Sequence, residues 1–303
     1  MPQFERPGLT LEYLLDARAG SEAPVVVLVH GLGCQLIQWP PALVDQLAEG
    51  GYRVLRFDNR DVGLSRLHQA PKPERHSLWD LARWRLGARL PSAYTLSDMA
   101  GDVIALLDHL GIDRAHVVGA SMGGMITQVL AIEHGARLLS ASVIMSTSGK
   151  RSVGGARPAV RSALMRRPDG GDRETVIEHL TRNWLLLQGR GYPTSVEDIR
   201  PQVAACVDRA MNPAGFIRQL QAILNAPNRE PMLAQVTVPV LVLHGTDDPL
   251  VNVSGGKAVA AAVPGARLQL IEGWGHDLPA ALLPVIAAQL LAHIRATSPS
   301  QTR

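Results

Sequence analysis

The chain has 303 residues, 46% of them hydrophobic but only 4% aromatic, so it can bury a large core and that core is aliphatic. Thirty basic residues against 27 acidic ones leave a formal charge of +3. The pI of 9.1 comes without the basic-aromatic constellation of a nucleic-acid binder, which excludes that class of partner. Two cysteines, Cys34 and Cys206, make neither a disulfide framework nor a metal signature, so reduced thiols and no metal are expected. The first 24 residues lack the basic stretch and apolar core of a signal peptide. No apolar run approaches the ~20 residues that span a bilayer. The expectation is a cytoplasmic chain, either two small domains or one large one with an insertion.

In chain order, residues 9–15 read as an opening strand and residues 20–24 as a turn. Val25-Val26-Val27-Leu28-Val29 is a buried-strand pattern that leads into His30-Gly31-Leu32-Gly33. Residues 41–49 read as a helix stopped by Gly50-Gly51, and residues 52–57 as the next strand. Between residues 95 and 110 the apolar positions Leu96, Met99, Val103, Leu106, Leu107 and Leu110 fall at helical spacing, with Gly111 as the stop. A short strand at 115–118 runs into Gly119-Ala120-Ser121-Met122-Gly123, a helix follows, and residues 140–146 form another strand. Strand and helix in alternation predict an α/β chain with a mostly parallel central sheet flanked by helices.

The alternation then stops. From 147 to 235 no strand is convincing and the pattern is helical. Residues 172–188 carry a helical apolar pattern, Ser195-Val196-Glu197-Asp198 looks like a helix start, and Asn212-Pro213 pairs a cap residue with an N1 proline. The expected organisation is a core of residues 1–147 and 232–303, with 148–231 inserted as a helical lid. The rhythm resumes with the strands at 240–245 and 268–272, the second followed by Trp274-Gly275-His276-Asp277.

Gly119-x-Ser121-x-Gly123 between a strand and a helix forces a tight turn. That turn holds the serine hydroxyl at the carboxyl edge of the sheet, where ligands bind in open α/β folds. A serine hydroxyl is unreactive at neutral pH unless a base takes its proton. Of the ten histidines only His276 follows the last strand in a Gly-His arrangement, so it is the expected base; His30 is expected to support its loop, and His244 to be packed or hydrogen-bonded. The acid lies in Thr246-Asp247-Asp248-Pro249, where one aspartate orients the histidine and the other caps the turn. Asp277 is expected on the surface, pointing away.

These motifs resemble the α/β-hydrolase family over nearly the whole chain. Beyond the serine elbow, the shared features are His30-Gly31-Leu32-Gly33, Phe57-Asp58-Asn59-Arg60-Asp61-Val62-Gly63-Leu64-Ser65, Gly245-x-x-Asp248 and Gly275-His276. Within that family the chain is most similar to serine carboxylesterases and polyketide methylesterases, and less closely to enol-lactonases. The resemblance favours Asp248 as the acid, giving the triad Ser121, Asp248 and His276. It implies an oxyanion hole of two backbone N–H groups, those of Leu32 and Met122.

The implied activity is hydrolysis of small to medium carboxylic esters through an acyl-enzyme, with no cofactor and a small-molecule ester as the partner. A lactonase is the nearest alternative; a perhydrolase, a carbon–carbon bond hydrolase or an acyltransferase would use the same triad. A ligand-binding receptor on this fold would be expected to have a broken triad. Trp184, Phe216 and Ile223 are the candidate pocket residues. The basic stretches at 66–89 and 150–173 are expected as solvated faces, with attraction of anionic substrates as the alternative.

Overall fold

In the computed structural model of the chain, residues 1–73, 90–166 and 168–298 are described. Among them nine strands form one sheet. The chain opens with a hairpin of β1 (Gln3–Arg6) and β2 (Leu9–Asp16), turned at Gly8 with φ +80°. It continues through β3 (Val25–Val29), α1 (Pro41–Glu49), β4 (Arg53–Phe57), the short β5 (Arg66–Leu67) and α2 (Leu96–His109). Next come β6 (Ala115–Ala120), α3 (Met122–Glu133) and β7 (Leu138–Ile144). The spatial order is β1-β2-β4-β3-β6-β7 and then the two strands after the helical segment, with β5 paired to β2. Pairs involving β2 are antiparallel, and every pairing from β4 onward is parallel.

Parallel strands covered on both faces read as unbroken aliphatic runs, because neither side meets water. β3 shows this directly. Its alternate residues Val25, Val27 and Val29 join one core with α2 and α3, whereas Val26 and Leu28 join another. The second core includes Leu43 and Leu47 of α1 and the last helix of the chain.

Between β7 and β8 (Val240–Gly245) the described residues form helices alone: α4 (Pro158–Leu164), α5 (Arg173–Leu185), α6 (Val196–Arg209), α7 (Pro213–Asn225) and α8 (Glu230–Leu233). Their starts follow local chemistry. Asp172, Ser195 and Asn212 each accept a hydrogen bond from the backbone N–H three residues on, in the first turn of the helix they cap, at Thr175, Asp198 and Gly215. The sheet then resumes through β8, α9 (Ser254–Ala262) and β9 (Arg267–Ile271), and the chain closes on α10 (Leu283–Thr297).

Several expected boundaries move. The sheet begins at Gln3 rather than Leu9. The strand expected over 140–146 is Leu138–Ile144, because Met145 turns the chain with φ +43°. The stretch Ala280–Thr297 has a mean hydropathy of 1.4 over 18 residues, long and apolar enough by length and composition to cross a bilayer, although Gln289, His293 and Arg295 interrupt it. Its face carrying Leu283, Ile286, Ala287, Leu290 and Ile294 is buried in the second core. Most of the basic stretch 66–89 lies outside the described residues.

Candidate active site

Three strand ends meet at one point of the carboxyl edge. The first is the turn from β6 into α3, where Ser121 takes φ +56° and ψ −117°. A non-glycine residue there costs on the order of 1–3 kcal/mol and persists only where its surroundings fix it. The surroundings do so: the Ser121 N–H donates to the Ile144 carbonyl at 2.9 Å, and Ser146 Oγ donates to the Ser121 carbonyl at 2.7 Å. Flanking glycines are required sterically. A Cβ on Gly119 would collide with the Gly123 carbonyl, and one on Gly123 with the Val29 carbonyl.

His276 arrives from the loop after β9. Its Nε2 lies 3.0 Å from Ser121 Oγ and its Nδ1 2.8 Å from Asp248 Oδ2. Asp248, in the loop after β8, accepts the Leu250 N–H at 2.9 Å and the Val251 N–H at 2.7 Å through Oδ1. Burial pushes the Asp248 carboxyl up, but the neighbouring His276 and hydrogen bonds from His244 and His276 outweigh it and hold it well below the usual carboxylate range. His244 is buried with Nε2 2.8 Å from the Val251 carbonyl and 3.4 Å from Asp248 Oδ2. Because a carbonyl only accepts, that nitrogen carries the proton. Asp247 turns outward to Arg190, whose Nε donates to it at 2.8 Å.

Asp277 departs from its expected surface position. It is only 9% exposed, its Oδ1 has no hydrogen-bond partner, and burial pushes its carboxyl up to about 7. The side chain is drawn inside because the loop is pinned on both sides of it. Trp274 Nε1 donates to the Asp277 carbonyl at 2.8 Å, and the His276 N–H donates to the Leu187 carbonyl at 2.7 Å.

The loop after β3 stands over Ser121: a Cβ on Gly31 would sit 3.2 Å from Ser121 Cβ and 3.7 Å from its Oγ. Burial lowers His30 to about 4, so its ring is neutral, and Nδ1 accepts the Gly31 N–H at 2.8 Å. The Gly33 N–H donates to Gln219 Oε1 at 2.8 Å. Among the described residues, the N–H groups of Leu32 and Met122 have no hydrogen-bond acceptor.

The three candidate pocket residues are placed differently. Phe216 lies against the loop after β3, since a Cβ on Gly33 would sit 2.8 Å from its Cδ2. Ile223, about two turns further along α7, packs against the first core. Trp184 is half-buried near the end of α5, and it is Leu187, three residues on, that touches the His276 loop. In the basic stretch 150–173, Lys150 pairs with Glu230 at 3.2 Å and Arg173 with Asp208 at 2.6 Å. Among the described residues no cluster of His, Cys, Asp or Glu could hold a metal ion.

Gln219 and Ser146 were not foreseen. Their partners lie far away in sequence, and no local spelling distinguishes them from ordinary core or loop residues.

Residues 24–279 match the family model described as the alpha/beta hydrolase fold, and the chain belongs to that family. Its particular relatives include rhodomycin D methylesterase DauP of Streptomyces sp. (strain C5), 29% identical over 297 residues, covering 92% of this chain and 93% of the relative. Rhodomycin D methylesterase DnrP of Streptomyces peucetius is similar to the same extent, 29% over 297 residues with the same coverage. Among solved structures, the enol-lactonase from Burkholderia xenovorans LB400 superimposes with a TM-score of 0.74 at 25% identity, covering 97% of this chain and all of that one.

Proposed function

We propose that the protein is a serine hydrolase that cleaves small to medium carboxylic esters through an acyl-enzyme. The observation that carries this reading is the continuous relay from Ser121 Oγ to His276 Nε2 at 3.0 Å and from His276 Nδ1 to Asp248 at 2.8 Å. In the first half-reaction Ser121 Oγ bonds to the ester carbonyl carbon while its proton passes to His276 Nε2. The carbonyl electron pair moves onto oxygen, which in this reading accepts from the N–H groups of Leu32 and Met122; in related sites one such donor is worth roughly 3 kcal/mol. The C–O bond to the alcohol then breaks, and His276 returns the proton to the departing alkoxide. Water repeats the sequence on the acyl-enzyme, giving the acid and restoring Ser121. Asp248 stays ionised throughout, holding the imidazole orientation and stabilising its charged form.

Residues 148–231 act as a lid in this reading. What supports it is that this segment touches three of the four loops of the site, Leu187 at the His276 loop, Arg190 at the Asp248 loop and Gln219 with Phe216 at the oxyanion loop. The apolar side of Phe216 and Ile223 favours uncharged acyl or alcohol groups. The two methylesterase relatives favour a methyl ester on a larger acyl group as the first substrate to try.

A lactonase is the second reading, favoured by the full-length likeness to an enol-lactonase structure. Initial rates on p-nitrophenyl esters of graded chain length, on methyl esters and on a lactone panel separate the two. Ester turnover that disappears in Ser121→Ala supports the esterase; turnover of lactones alone replaces it with the second reading.

A further inference from the structure

Helix α7 sends one polar side chain into the oxyanion loop, and that side chain has no role in the relay. Gln219 has no exposed surface. Its Oε1 accepts the Gly33 N–H at 2.8 Å, and its Nε2 donates to the Arg60 carbonyl at 2.8 Å. One partner can only donate and the other only accept, so the two ends of the amide are fixed and the side chain cannot flip. The residues it joins are the loop after β3 and the loop after β4, which already share a hydrogen bond from Asn59 Nδ2 to the His30 carbonyl at 3.0 Å.

Two further contacts hold α7 in place beside it. Arg218 forms a buried, two-pronged pair with Asp61, with Nε to Oδ2 at 2.6 Å and Nη2 to Oδ1 at 2.9 Å. Phe216, one turn back, covers Gly33. Gly33 itself takes φ +70°, and its N–H is engaged by Gln219 on the helix.

We propose that Gln219 is a positioning residue for the oxyanion hole, which makes the hole's geometry depend on the docking of α7. Tying down the Gly33 N–H fixes the peptide that follows Leu32. The Leu32 N–H lies one peptide earlier, so holding the Gly33 N–H restrains the backbone of Leu32 and with it the orientation of that donor. The proposal rests on the esterase reading, because only a reaction that develops an oxyanion at Ser121 uses that N–H. Replacing the amide by an apolar chain of similar length leaves the part-buried Gly33 N–H and Arg60 carbonyl without those partners. The loop then relaxes to satisfy them, and a displacement of about 1 Å at such a donor can cost on the order of 100-fold in rate.

The test compares wild type, Gln219→Met and Gln219→Asn on a short-chain p-nitrophenyl ester, with active sites counted by fluorophosphonate titration. The inhibition constant of a trifluoromethyl ketone, which forms an oxyanion-bearing adduct with the serine, is measured beside KM. For Gln219→Met the expected result is a fall in kcat per active site of roughly 10- to 100-fold, with KM within about threefold of wild type. The ketone should weaken in proportion to kcat/KM. Gln219→Asn, which keeps the amide but shortens its reach, should fall between the two and serves if the methionine variant does not fold. Turnover per active site within twofold of wild type in the folded variants, with only the melting temperature lowered, overturns the proposal and leaves Gln219 as packing. No ester turnover by wild type, and no labelling of Ser121, overturns the esterase reading beneath it and the proposal with it.

Discussion

Asp277 provides a stability measurement whose sign and size follow from its burial. An isolated aspartate loses its proton near pH 3.9. In the folded chain burial disfavours the charged form, the Asp248 carboxylate adds to that effect and His276 opposes it, and the carboxyl is pushed up to about 7. Between about pH 4 and pH 7 the folded state therefore keeps a proton that the unfolded chain releases. Stability contributed by this group is full below pH 4 and falls as the pH rises through that window. Each pH unit of the interval carries ~1.4 kcal/mol, so the loss is complete near pH 7 at a ceiling of ~4 kcal/mol. Asp277→Asn keeps the shape and removes the ionisation. In urea unfolding from pH 4.5 to 8, the variant should gain on wild type steadily as pH rises and level off above pH 7. Gained or lost hydrogen bonds add a constant offset and leave the slope untouched. A stability difference that stays flat across the range would refute the burial argument and return Asp277 to the surface.

Asp248→Asn should lower kcat by about 10⁴-fold, because the amide favours the wrong tautomer of His276. Asp247→Asn, which gives up only the ion pair with the exposed Arg190, should stay within a few-fold of wild type, and steady-state kinetics on both variants checks the ranking. Arg218→Met leaves the Asp61 carboxylate buried without its guanidinium, and denaturant unfolding should show a loss of about 3–5 kcal/mol. Phe216→Ala should shift the acyl chain-length preference more than it changes the rate on acetate esters, and more than Trp184→Ala shifts it, since the Phe216 ring lies against Gly33 of the oxyanion loop. A chain-length profile unchanged by Phe216→Ala would mean that the ring only packs α7 onto the core.

The parts that were legible in the sequence are those whose physics is local. β3 reads as a strand because water reaches neither of its faces, and the serine turn reads as an elbow because only glycine fits at 119 and 123. The caps at Asp172, Ser195 and Asn212 are spelled by residues whose side chains reach their own helix. What was not legible depends on pairing across the chain. β1 is four residues long and is a strand because Gln3–Arg6 finds β2, not because its own pattern is strong. Asp277 looked exposed because charge next to a loop histidine usually is. Its burial follows from Trp274 and Leu187 anchoring the loop on either side. Gln219 meets Gly33 across 186 residues, and nothing near residue 219 announces it.

The most direct measurement is intact-protein and peptide mass spectrometry after incubation with a fluorophosphonate, run beside ester turnover on wild type and Ser121→Ala. If Ser121 is the nucleophile, one adduct forms, it maps to the peptide containing Ser121, and its appearance tracks the loss of turnover. Ser121→Ala then carries no adduct and hydrolyses esters no faster than buffer. An adduct on another serine, or turnover that survives in Ser121→Ala, would contradict the relay from Ser121 through His276 to Asp248.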